Sequence, residues 1–203
     1  MKPFAPACER NREPILQVLR PTLAQWARPR VLEIGSGTGQ HGVFFAAALP
    51  HLTWIMSDRP GNHAGIEAWC DEAALANVEG PHVLDVAQAE GGFVPAVEVV
   101  YSANTAHIMS WPEVMRMMAI ASGSLLPGGC LLLYGPFKRG GEHTSEGNER
   151  FDRSLRESAP HMGIRDLEAV DGLAAANGLT CEEVHEMPAN NLTVRWRREA
   201  GGV

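Results

Sequence analysis

A chain of 203 residues is the size of one ordinary domain, long enough to bury roughly 70% of the surface its unfolded form exposes without disulfide or metal staples. Hydrophobic residues make up 45% and charged residues 20%, which excludes intrinsic disorder, coiled coil and collagen, and no run approaches the ~20 apolar residues of a membrane span. The formal charge of -7, with basic groups dispersed over Arg10–Arg12, Arg150–Arg156 and Arg195–Arg198, points to a small-molecule partner and away from nucleic acid or a membrane.

The chain starts with MKPFAPACERNREP, which has no apolar h-region, so an export signal is not expected. Arg12 to Gln25 has the apolar period of a helix, interrupted at Pro21. Arg30 to Ile34 (RVLEI) reads as a short strand that stops at a glycine cluster. Gln40 to Leu49 is apolar on most sides, as a buried crossover helix would be. Leu52 to Ser57 is a second strand, Asn62 to Ala76 a helix, His82 to Val86 a third strand and Val97 to Ser102 a fourth. Ser110-Trp111-Pro112-Glu113 has the capping serine, early proline and following glutamate of a helix start. That helix stops at Leu126-Pro127-Gly128-Gly129, ahead of a fifth, fully apolar strand, Cys130 to Tyr134.

The last third changes rhythm. Gly135 to Gly147 reads as a long polar loop, either a lid or a surface insertion. Helices follow around Asn148 to Arg156 and Asp166 to Asn177. Two strands, Thr180 to Met187 and Asn191 to Arg197, are joined by Pro188-Ala189-Asn190, a link too short for a parallel crossover, so they must pair antiparallel. Short apolar strands alternating with helices argue for a parallel sheet covered on both faces. The expected architecture is a single α/β domain over 1–203 with a Rossmann-like, seven-stranded sheet, mostly parallel and closed by an antiparallel C-terminal hairpin. Residues 1–29 would form a cap segment and helix, 30–135 the ligand-binding core, and 136–203 the loop, helices and hairpin. Cys8, Cys70, Cys130 and Cys181 show no C-x-x-C pairing and read as small core residues of a cytoplasmic protein.

The informative segment is Glu33-Ile34-Gly35-Ser36-Gly37-Thr38-Gly39, where a strand ends, glycines alternate and a helix begins. Such glycines permit positive φ and close approach of a ligand to a helix N-terminus. In one frame, Gly37-x-Gly39-x-x-Gly42 matches the dinucleotide fingerprint, but two further residues separate Gly37 from the strand end. The other frame, Glu33-x-Gly35-x-Gly37-x-Gly39, starts at the strand itself. It resembles motif I of the class I S-adenosylmethionine-dependent methyltransferases, and the resemblance extends over most of Arg30 to Arg197.

That resemblance implies S-adenosyl-L-methionine as cofactor and S-adenosyl-L-homocysteine as product, held over Gly35, Ser36, Gly37 and Gly39 with Glu33 near the cationic end. It implies that Asp58, next to Arg59, accepts the ribose hydroxyls, and that Asp85 and Val86 face the adenine. A narrower resemblance rests on Pro6 to Ile15, Asn104-Thr105-Ala106-His107 and Tyr134-Gly135-Pro136-Phe137. It is to the methyltransferase-like family that includes methyltransferase-like protein twenty-six, a family without an established substrate. It makes Arg10 and Asn11 either cofactor or substrate contacts, or else a helix cap with a surface arginine.

Ligands of open α/β sheets bind beyond the carboxyl ends of the strands. After the fourth strand, Asn104 could orient an acceptor, and His107, with an ordinary pKa of ≈ 6.5, is the candidate general base or else a histidine that packs the loop. After the fifth, Tyr134, Arg139 and His143 are candidate substrate contacts. Ser102-Ala103-Asn104-Thr105 lacks the Asp/Asn-Pro-Pro-aromatic motif of enzymes that methylate nucleic-acid amino groups. The histidines show no metal spacing with carboxylates, so no metal is expected. Two further readings stay open: a protein of this fold that binds the cofactor without methylating, and an NAD-dependent oxidoreductase.

Overall fold

The computed structural model describes residues 2–88 and 95–200. Helix α1 (Pro6–Leu23) begins six residues ahead of the expected Arg12, with Pro6 in its first turn, where a missing N–H costs nothing. It also runs through Pro14 and Pro21 instead of breaking. A proline inside a helix costs ~3 kcal/mol. Ile15, Leu19 and Leu23 are each 0% exposed on one stripe, and burying each such side chain contributes roughly 1.5–3 kcal/mol. With Leu16 and Val18 buried beside them, the five side chains outweigh the roughly 6 kcal/mol of the two rings.

Strand β1 (Arg30–Ile34), helix α2 (Gln40–Ala48), strand β2 (Thr53–Asp58) and helix α3 (Pro60–Ala73) lie close to their expected positions. Strand β3 does not: it spans Val78–Val83 in place of the expected His82–Val86. It is the outer strand beside β2, pairing Val78 with Trp54 and Val83 with Asp58 across an irregularity. Gly80 and Pro81 both disfavour a strand interior, yet an edge strand tolerates them, because proline's missing donor can face solvent. Asp85 therefore sits beyond the strand, in the turn that follows it.

Strand β4 (Val97–Ala103) leads to helix α4 (Trp111–Ser124), which carries the expected capping box, with the Ser110 amide donating to Glu113 Oε2 at 2.5 Å. Strand β5 (Leu125–Arg139) overturns the expected loop. It continues past Tyr134 to Arg139, turns through Gly140 and Gly141 (φ +58° and +81°), and returns as β6 (Glu142–His143). Two consecutive residues at positive φ between Arg139 and its partner Glu142 make the tight hairpin that Gly-Gly favours. The Glu168 and Asp166 carboxylates accept the Gly140 and Gly141 amides at 3.0 and 2.6 Å. The segment is an anchored hairpin, not a lid.

Helix α5 (Glu146–Ser158), strand β7 (Arg165–Asp166), helix α6 (Leu167–Ala176) and strands β8 (Leu179–Met187) and β9 (Asn191–Arg198) complete the chain. The main sheet runs β3-β2-β1-β4-β5-β9-β8, with β9 antiparallel between β5 and β8 as the short link requires, and with β6 and β7 paired to the end of β5. This is the expected mostly parallel α/β architecture with its closing hairpin. Side chains alternate cleanly through the sheet. Leu32, Ile34, Val100, Leu131 and Leu133 join the core under α4 and α6. Val31, Val99, Tyr101, Leu132 and Tyr134 join the core under α1, α2 and α3. Arg195 and Arg197 are ion-paired with Glu182 and Glu183 across the hairpin at 2.7–3.1 Å. Of the cysteines, Cys130 is buried in the core and Cys181 is exposed.

Candidate functional site

Strand parity explains the floor of the site. Glu33 sits two residues after Val31, so its side chain enters the apolar core under α1 and α2, where it is 2% exposed. One carboxylate oxygen, Oε2, accepts both the Trp54 indole N–H and the Ser36 hydroxyl, each at 2.9 Å. Burial pushes the Glu33 pKa up to about 7 against the pull of these two hydrogen bonds, and the nearby Asp58 charge adds to the rise. A cation placed beside it would draw it to the carboxylate form.

Above this floor a cleft of about 1080 Å³ opens beyond the ends of β1, β2 and β4. The glycines of the β1–α2 loop divide by role. A Cβ at Gly35 would meet Thr105 Cγ2 at 2.7 Å, one at Gly39 the Ile66 backbone at 3.1 Å, and one at Gly42 the Met56 methyl at 2.4 Å, so these three permit close packing. Gly37, at φ +59°, would meet nothing within 4 Å: its bare backbone faces the cleft. The Gly37 amide donates to Asp58 Oδ2 at 2.7 Å, while the Arg59 amide and the Asn62 side chain donate to Oδ1, each at 2.8 Å. Each carboxylate oxygen offers about two acceptor positions. Oδ2 keeps one for a ligand.

The far wall is Leu84, Asp85 and Val86, facing Ile108, Met109 and Met162. Asp85 accepts the Ala87 amide at 3.0 Å, and the Val86 carbonyl takes the Arg116 side chain at 2.6 Å. Residues 2–5 cross the near side as a strap. The Pro3 carbonyl accepts the Trp69 indole N–H at 2.8 Å, the Ala5 amide donates to Gln40 Oε1 at 2.6 Å, and the Lys2 ammonium lies 3.5 Å from the Trp69 ring centroid while pairing with Glu72. Lys2, Pro3, Ala5, Ala7 and Cys8 thus line the cleft, with burial holding the Cys8 thiol up at about 11.

The remaining expected residues divide. Glu33, Gly35, Ser36, Gly37, Asp58, Arg59, Asp85, Val86 and Asn104 all line the cleft; Gly39 packs beneath it. Arg10 and Asn11 do not line it. They lie farther along α1, where Arg10 is exposed and Asn11 is buried against His41 (Oδ1 to Nε2, 2.7 Å). Tyr134, Arg139 and His143 are also elsewhere. Tyr134 is 3% exposed, with Asn11 and Arg10 beside it. Arg139 pairs with Glu186 at 2.7 Å, and His143 bonds Asp152 at 3.1 Å. The strand extension carries these last two out along the hairpin.

His107 is 7% exposed and does not line the cleft; its ring meets Phe151 edge-on, 5.3 Å between centroids. Burial, reinforced by the Arg165 charge, lowers its pKa to about 4 in place of the expected 6.5, so it is neutral at physiological pH. Cys8, Asn62, Thr105, Glu113, His161 and Met162 line the cleft without having been singled out in sequence. Glu113 belongs to the helix-start signal, Cys8 and Thr105 lie inside the quoted stretches without a role of their own, and Asn62, His161 and Met162 belong to no motif. Among the described residues no group of three His, Cys, Asp or Glu could hold a metal ion, and no helix is long and apolar enough to cross a membrane.

Residues 2–198 match the model of a family described as "Protein of unknown function (DUF938)". Among solved structures, an O-methyltransferase family protein from Burkholderia thailandensis superposes with a TM-score of 0.79 at 20% identity, covering 97% of this chain and 58% of that one. The S-adenosylmethionine-dependent methyltransferase SibL, in its apo form, gives 0.79 at 21% identity, covering 95% and 55%. An O-methyltransferase family 2 protein from Planctomyces limnophilus, in complex with apigenin, gives 0.73 at 19% identity, covering 83% and 50%. The likeness is one of fold, and the chain spans little more than half the length of these neighbours.

Proposed function

The chain belongs to the DUF938 family, and from that premise we propose that it binds S-adenosylmethionine in the cleft and catalyses methyl transfer to a small-molecule acceptor. The observation that carries this reading is the Glu33 carboxyl, buried with no counter-charge among the described residues, below the open backbone of Gly37. A cationic ligand would complete it, whereas a diphosphate would be repelled. The Gly37 amide is also committed to the Asp58 carboxylate, so it is not offered to a phosphate, which counts against a dinucleotide. The shared fold of S-adenosylmethionine-dependent enzymes supports the same conclusion.

In this reading Glu33 and Ser36 face the ammonium end of the cofactor, and Asp58 accepts a ribose hydroxyl at its remaining acceptor position, with Arg59 alongside. Asp85 and the Val86 backbone meet the adenine between Leu84 and Met109. When bound, the cofactor supplies an electrophilic methyl group on a sulfonium. The chain's own work is orientation and exclusion of water, to which the strap of residues 2–5 contributes. Asn104 orients the acceptor, and His107, neutral above pH 5, takes its proton.

Calorimetric titration with S-adenosylmethionine, S-adenosylhomocysteine and NAD tests the proposal. The first two should bind and NAD should not. Binding of NAD alone would overturn it.

A further inference from the structure

Gly135 sits at the turn of the site where β5 passes the end of β4, and it is buried. A methyl group built on it would lie 3.9 Å from both Asn104 Oδ1 and His107 Nδ1, so these two side chains converge on one small space. Asn104 is held there by its backbone, at φ +58°, with its amide donating to the Tyr134 carbonyl at 2.9 Å. Among the described residues, neither the Asn104 amide group nor the His107 ring nitrogens have a hydrogen-bond partner in the protein. His107 as a whole is 7% exposed, so it is buried without being fully enclosed. Two converging, unpartnered polar groups beside a glycine describe a space for a ligand atom that both donates and accepts.

The rim is apolar. Phe151 on α5 touches the His107 ring and is 41% exposed, and Ile108, which also lines the cleft, is 46% exposed. Arg165, the cation whose charge acts on His107, is committed to the carbonyls of Ala106, Met109 and His161. It supplies positive potential without an open hydrogen-bonding face. That environment suits a group that is neutral on arrival and becomes negative as it reacts, on a flat apolar body. It offers no uncommitted cation to a ligand that arrives as a carboxylate or phosphate.

We infer that Asn104, His107 and Gly135 form an acceptor recess, rimmed by Phe151 and Ile108, for the hydroxyl of an aromatic ring, and that the missing side chain at Gly135 keeps it open. This rests on the methyl-transfer reading and deepens it. In the transfer, the hydroxyl proton goes to a His107 ring nitrogen and an oxygen lone pair forms the new C–O bond. The electron pair of the breaking C–S bond stays on sulfur, leaving a neutral thioether. Asn104, shared by the recess and the cleft, holds the oxygen at the boundary between them.

The experiment titrates 2-naphthol, followed by its fluorescence, into protein saturated with S-adenosylhomocysteine, with decahydro-2-naphthol as the non-aromatic competitor. The aromatic alcohol should bind at least ~10-fold more tightly than the saturated one. Gly135→Val should weaken 2-naphthol roughly 10-fold or more, while S-adenosylhomocysteine affinity stays within about twofold. Phe151→Ala, at an exposed position outside both buried cores, should weaken 2-naphthol roughly 3- to 10-fold. Undiminished 2-naphthol affinity in Gly135→Val, or equal affinity for the two alcohols, overturns the inference. If Gly135→Val also loses S-adenosylhomocysteine, Phe151→Ala decides, and unchanged affinity there overturns it. Wild-type protein that binds S-adenosylhomocysteine but not 2-naphthol refutes the recess alone; protein that binds neither refutes the cofactor reading with it.

Discussion

Replacing Glu33 by Gln separates the stability of the fold from the binding of a cation. The carboxyl titrates at 4.5 in its ordinary setting and at about 7 here, chiefly through burial. The unfolded chain therefore releases this proton at lower pH than the folded one. Stability is complete below pH 4.5, falls as pH rises to 7, and is constant above it, the total loss being about 3 kcal/mol. Gln cannot ionise, and its carbonyl oxygen can still accept from Trp54 and Ser36. Glu33→Gln should thus match the parent at pH 4 and exceed it by about 3 kcal/mol at pH 8. In urea this is a midpoint shift of roughly 1–2 M. Binding should move in the opposite direction. The parent's affinity for S-adenosylhomocysteine should fall about tenfold per pH unit below 7, as the carboxylate is lost, while the variant binds weakly with no such slope. Equal urea midpoints for parent and variant at pH 8 would refute the argument, because they would mean that the buried carboxylate costs the fold nothing.

Gly37→Val should fold, since its Cβ meets nothing within 4 Å and the left-handed backbone costs only ~1–2 kcal/mol. It should nevertheless lose S-adenosylhomocysteine in calorimetry, and unchanged affinity would show that the loop is not the site. Asp58→Ala should weaken the same ligand about ten- to a hundred-fold, through the lost acceptor and the released Gly37 amide. With an aromatic acceptor, His107→Ala should lower turnover by roughly 10²–10⁴-fold at little cost in cofactor affinity. With cofactor kept saturating at every pH, the parent kcat should stay flat from pH 5 to 8 and fall only as the ring protonates near pH 4. Pro21→Ala should raise the thermal midpoint, because it restores an N–H in the last turns of α1, worth about 1–3 kcal/mol.

The parts of the fold legible in sequence were those where one physical signal dominated. The β1 strand and glycine loop, the Ser110 capping box and the forced antiparallel pairing across residues 188–190 each follow from local chemistry alone. The misreadings came where tertiary context overrode a local signal. Gly80-Pro81 sits inside an edge strand expected to start only at His82, Pro21 inside a helix held by its buried face, and the polar run after Gly135 in the far end of β5, paired with β6 and β7. The cleft was partly legible. Gly37, Asp58 and Asp85 announce themselves by position after strands, but Ala5, Ala7 and Cys8 are small residues with no signal, whereas their polar neighbours Arg10 and Asn11 drew the eye and face elsewhere. The direction of the His107 ring was beyond reach for a different reason. A loop sequence says which residues leave a strand together, not which side of it each one turns to.

The two ends of the described chain differ in what can be joined to them. Residues 2–5 form part of the cleft wall, whereas Arg197 pairs with Cys130 near the start of β5's apolar run, at the end of the strands opposite the cleft. A tag, fluorophore or solid support attached ahead of Lys2 would sit at the mouth and pull directly on the Ala5–Gln40 hydrogen bond. The same attachment after Arg198 would leave the mouth facing solution. For a sensor chip or a pull-down matrix, the side of attachment decides whether the immobilised molecule can report on its ligand at all.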